Sequence, residues 1–111
     1  MKIISGRISC TKRNTIPSGS TVYVQAIECF VDKNPIVLGS IVIQSASTFP
    51  VLFEMSFDEK PIIEKRYRGM YLIIVNIQKK DKIQFNNDGK PFVIEKIQHI
   101  LDKIDIEVDQ V

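Results

Sequence analysis

The chain has 111 residues, a net charge of +2, 44% hydrophobic residues and 25% charged residues. That length buries one core and divides poorly into two, so a single domain over 1–111 is expected. The composition excludes a disordered or fibrous chain, the balanced charge excludes a broad field for steering nucleic acid, and no apolar run approaches the roughly 20 residues that span a bilayer.

The N-terminal residues Met1 to Arg7 do not read as a secretory signal, because Arg7 interrupts the apolar stretch. The compartment stays open between the cytosol and a protein whose signal has been removed. From Lys2 to Arg13, Ile4, Ile8 and Cys10 share one parity while Ser5, Arg7 and Ser9 take the other, the pattern of a half-buried strand. Pro17-Ser18-Gly19 then supplies a fixed φ followed by a residue tolerant of positive φ, which predicts a hairpin or a sheet-crossing turn.

A second strand runs from Thr21 to Val31, with Val22, Val24 and Ala26 on one face and Tyr23, Gln25 and Ile27 on the other. Simple alternation then points Cys29 outward and Cys10 inward, which argues against a disulfide unless a bulge near Glu28 reverses the parity. Ile36 to Gln44 is a third strand, apolar on both faces except at Gly39 and Ser40; such a strand is either central in its sheet or covered by a partner. In the fourth, Val51, Phe53, Met55 and Phe57 alternate with Leu52, Glu54 and Ser56, so its aromatic face contributes to the core.

The segment from Asp58 to Gly69 reads as irregular, and Met70 to Gln78 resumes as a strand with Ile73, Val75 and Ile77 on one face and Leu72 and Ile74 on the other. Lys79 to Lys82 is a charged turn, Ile83 to Phe85 pairs back, and Asn86-Asn87-Asp88-Gly89 is a strong turn signal. Ile94, Ile97, Ile100, Leu101 and Ile104 recur at helical intervals, which predicts a short helix near residues 94–101 with Pro91 in its first turn. Ile104, Ile106 and Val108 close the chain as an amphipathic strand. About seven strands with turn signals every 8 to 12 residues or so give an all-β fold, a β-sandwich.

Chemistry-bearing patterns are sparse. His99 is the one histidine and has no acid-plus-nucleophile pattern beside it, so it reads as a surface or packing residue. No phosphate-cradling glycine loop, nucleophile elbow or zinc-protease motif is present, which argues against an enzyme and for no cofactor and no metal. The cluster Lys65, Arg66 and Arg68 with Tyr67 and Tyr71 has the ingredients of an anion or nucleic-acid patch, but Asp58, Glu59 and Glu64 nearly cancel it, and no nucleic-acid partner is expected. Asp58 with Glu59 and Asp102 with Asp105 read as solvated carboxylates rather than acid and base.

Ile27, Ile36, Leu38, Leu72 and Ile74 are apolar on the parity opposite to Val24, Phe53 and Val75. Either they form a second core layer under a helix or loop, or they line an exposed groove that accepts another chain. They are the candidate partner-binding residues.

The ordered combination of Gly6-Arg7-Ile8-Ser9, Ile16-Pro17-Ser18-Gly19-Ser20-Thr21-Val22-Tyr23-Val24-Gln25, Phe53-Glu54-Met55-Ser56-Phe57-Asp58, Tyr71 opening a long strand, and Ile83-Gln84-Phe85-Asn86-Asn87-Asp88 resembles the YbaY/YscW family of type III secretion lipoprotein chaperones. The resemblance covers nearly the whole chain. It implies a prealbumin-like β-sandwich that binds a protein partner rather than catalyses, and a periplasmic or cell-envelope location. In the secretion branch it implies a pilotin, a lipid-anchored protein that helps an outer-membrane secretin localise and assemble. No catalytic residue is carried over. Two other readings are a structural or adhesive domain of a larger assembly and a carrier of a small apolar ligand.

Overall fold

The computed structural model describes residues 2–31, 34–58, 70–94 and 103–111. The basic cluster Lys65, Arg66 and Arg68, His99, and all of the expected helix except Ile94 lie outside the described residues. Nine strands are present among those described: β1 (Lys2–Ser9), β2 (Thr21–Cys29), β3 (Ile36–Gln44), β4 (Val51–Phe57), β5 (Met70–Lys79), β6 (Lys82–Asn86), β7 (Phe92–Val93), β8 (Ile104–Glu107) and β9 (Asp109–Gln110). The count exceeds the expected seven because two short pieces, β7 and β9, add to the sheets by pairing that is not visible as a long alternating run.

The strands form two sheets. The smaller has the order β4-β1-β8, and the larger β3-β2-β5-β6-β9 with β7 also paired to β5. Alternation along each strand turns one apolar row inward. Ile4, Ile8, Phe53, Met55, Phe57 and Ile106 from the small sheet meet Val22, Val24, Ala26, Ile73, Val75 and Ile77 from the large one in a shared core. The Pro17-Ser18-Gly19 turn carries the chain from one sheet to the other, with the Ser20 amide donating to the Pro17 carbonyl at 3.2 Å.

The two sheets are joined along both sides. On one side a single segment changes sheets: β8 pairs parallel with β1, the Val108 amide still donates to the Ser9 carbonyl at 2.9 Å, and β9 pairs with β6. On the other side β3 and β4 approach each other, the Asp58 amide donating to the Leu38 carbonyl at 3.0 Å, and Ser40 and Ile41 line an open cleft with Glu54, Met55 and Ser56. Gly39 sits against that contact, so close that a Cβ on it would lie 2.3 Å from the Ser56 carbonyl oxygen.

β3 is therefore an edge strand of the large sheet, not a central one as one branch of the sequence reading allows. Its pairing with β2 shifts between Gly39 opposite Ala26 and Val37 opposite Ile27, leaving Leu38 as an extra residue. A bulge of this kind reverses parity along the bulged strand. It brings Leu38 into the core, 9% exposed, and sets Ile36 on the inward parity with Glu28 and Tyr71, at the strand's end where it stays 41% exposed.

Candidate partner-binding face

The outward face of β3, β2 and β5 is built by register. Val37, Ile27, Leu72 and Val93 form one cross-strand row, Ser40, Gln25 and Ile74 a second, and Val42, Tyr23 and Asn76 a third. Met70 stands opposite Cys29 at the end of β5. Cross-strand neighbours of this kind lie close enough for their side chains to touch, so the rows form one surface.

Of the five candidates taken from the sequence, three come together here. Ile27 and Leu72 are directly opposite each other, and Ile74 is diagonal to Ile27 across the same strand pair. Ile27 is only 4% exposed, while Leu72 and Ile74 are half-buried. Ile36 and Leu38 do not join them, because the register shift at Leu38 sends one to the inward row and the other into the core.

The structure adds apolar residues of this face that were not among the five candidates. Val37 at 52%, Val42 at 55% and Met70 at 58% exposure are the most open apolar residues of this face, with Tyr23 and Val93 beside them. Val37 is missed because its orientation depends on the bulge, and Val93 because a two-residue strand carries no period. No outward residue of β3, β2 or β5 is charged from end to end, in a chain of which a quarter is charged. Such an uncharged apolar surface suits burial against another chain better than exposure to water.

The charged contacts lie elsewhere. On the outward face of the small sheet, Arg7 is ion-paired with Asp105, and that hydrogen bond holds the guanidinium above its ordinary pKa. Leu52 is exposed beside this pair, in a shallow cleft of about 470 Å³ that also takes in Lys103. Lys90 pairs with Glu107 at 3.1 Å, which raises the lysine pKa and lowers that of the carboxyl. Cys10 is buried and Cys29 half-buried, both as free thiols. Among the described residues no group of three or more His, Cys, Asp or Glu is arranged to hold a metal ion, and no helix is long and apolar enough to cross a membrane.

A family model described as type III secretion system lipoprotein chaperone (YscW) matches residues 1–104. A solved structure of an alternative pilotin from the type II secretion system of Vibrio cholerae superposes with a TM-score of 0.79 at 16% sequence identity. The superposition covers 99% of this chain and 96% of that one, which shows a shared fold. No curated protein sequence matches the chain. Since the family model spans nearly its whole length, the chain belongs to the YscW family of type III secretion system lipoprotein chaperones.

Proposed function

We propose that this chain is a pilotin-like chaperone of the cell envelope, a non-enzymatic module that takes a protein partner on the outward face of β3, β2 and β5. The class of function rests on membership of the YscW family. The choice of surface rests on one observation, an uncharged face that carries the apolar row Val37, Ile27, Leu72 and Val93 with Ile74 beside it. The partner is a segment of a secretion-system outer-membrane component, a secretin by the family's character. An amphipathic segment would lay its apolar side on these rows, so that apolar burial supplies the affinity and the polar rim the register.

The test is capture of the secretin encoded in the same source by purified protein carrying Leu72→Asp with Ile74→Asp, beside Val37→Asp at a more open position. Both variants lose capture while the Val37→Asp protein melts within a few degrees of the parent. Undiminished capture by both removes this face from the proposal. Should the double variant fail to fold, Val37→Asp alone decides.

A further inference from the structure

β3 is a free sheet edge that lacks most of the devices that keep such edges from pairing. Natural edge strands carry charged side chains, prolines or bulges, or lie under a covering segment. Ile36–Gln44 contains no charged residue and no proline. Its one bulge is at Leu38, where the strand touches β4. Past that point, from Ser40 to Gln44, its only backbone partners among the described residues are those of β2. In an antiparallel pair alternate residues point their amide and carbonyl groups away from the partner, so this stretch offers a row of unused donors and acceptors.

The side chains along this stretch are also incompletely covered. Ile41 and Ile43 face inward and pack against the core, yet both stay half-buried. Val42, between them, is 55% exposed on the outward face. A strand that is apolar on both faces is ordinarily flanked on both sides, and among the described strands β3 is paired on one.

We propose that the Ser40–Gln44 edge pairs with the same edge of a second copy of this chain, antiparallel about a twofold axis at Val42. The sequence Ser40-Ile41-Val42-Ile43-Gln44 is self-complementary in that register. Val42 meets Val42 of the second copy, Ile41 meets Ile43, and Ser40 meets Gln44, so apolar faces apolar and polar faces polar. Directly opposite residues lie on the same face of a sheet, which agrees with Ile41 and Ile43 both facing inward and Ser40, Val42 and Gln44 outward. An isologous contact needs this self-complementarity. The other long free edge fails it, because β4 is centred on Glu54 and self-pairing would set two glutamates opposite each other. The paired edges would join two large sheets into one continuous sheet. This proposal concerns association of the chain with itself and is independent of the secretin reading above.

Sedimentation velocity from low micromolar to millimolar concentration tests it. The weight-average mass rises with concentration from 12.7 kDa toward twice that value. Val42→Lys sets two like charges across the axis and holds the protein at the monomer mass throughout; because Val42 is largely exposed, its melting temperature stays at that of the parent. In a Cys29→Ser background, Val42→Cys oxidises to a crosslinked dimer, whereas Tyr23→Cys, one strand further from the axis, does not. A monomer at millimolar concentration with no crosslink at position 42 overturns the proposal and leaves the edge to an extended segment of another protein. Leu72→Asp with Ile74→Asp spares this edge, so dimerisation and partner capture fail or succeed separately.

Discussion

The side-chain amide of Asn87 donates to the main-chain carbonyl of Ile73 at 2.9 Å, deep in the large sheet. Its oxygen accepts the Val75 amide at 3.0 Å. One edge of β5 is covered by β6 from Asn76 to Lys79 and by β7 at Leu72 and Ile73, and Asn87 bridges the gap between them. A single side chain therefore takes the place of a strand residue. Replacing Asn87 with Ala leaves two buried backbone groups unpaired, which costs about 2–4 kcal/mol. Urea denaturation measures the loss, and hydrogen exchange at Val75 accelerates in the variant; an unchanged midpoint would show that water supplies the same bonds.

Gly6 governs the approach of β8 to β1. A Cβ at this position would lie 2.3 Å from the Ile104 carbonyl oxygen and 2.6 Å from the Ile104 Cγ1. Gly6→Ala must push β8 away, which as overpacking costs about 1–3 kcal/mol. The amides of Ile106 and Val108 lose exchange protection before those of β2 in this variant. Equal protection in both strands would refute the local account.

Glu28 is fully buried, and among the described residues neither carboxylate oxygen has a hydrogen-bond partner. It stands in the inward row between Ile36 and Tyr71. A buried polar group without a partner is a cost to folding, so Glu28→Leu, of similar size, stabilises the protein by about 1–3 kcal/mol. For a chain of this length that is a rise in melting temperature of roughly 4 °C or more. A lower melting temperature in Glu28→Leu would mean that the carboxylate is held by contacts worth more than its burial costs.

The Lys90 ammonium beside Glu107 lowers the carboxyl pKa below its ordinary 4.5. A carboxyl whose folded pKa is depressed stabilises the fold above its unfolded value, and that contribution disappears as the pH falls through the folded value. Stability therefore declines with acid below about pH 4.5 partly through this group. Lys90→Met flattens that part of the curve, and added salt reduces the difference because both side chains are partly exposed. Thermal melts at a series of pH values check this, and parallel curves for parent and variant would contradict it.

Local periodicity was enough to read most of the strands. The inward positions of β1, β2, β4 and β5 follow from alternation in the sequence, because a side chain's face depends only on its place along its own strand. The turns at Pro17-Ser18-Gly19 and Lys79 to Lys82 were legible for the same local reason. The face of Val37, Ile36 and Leu38 was not, since one bulge in the pairing with β2 changes the parity of everything before it. Of the partner-binding candidates, Ile27, Leu72 and Ile74 share one outward face because their strands keep strict register with each other.

What the sequence determined by itself is an all-β chain in which each long strand has an apolar face, set largely by β-branched residues at a period of two, and in which some strands carry apolar residues on the second face as well. What only the tertiary structure decided is which strand lies beside which. That pairing left β3 at an edge without charge, sent Asn87 from an apparent turn into the ladder of β5, and enclosed Glu28 without a hydrogen-bond partner among the described residues. Each of these depends on contacts between residues far apart in the chain, and an alternating pattern carries no information about its neighbour.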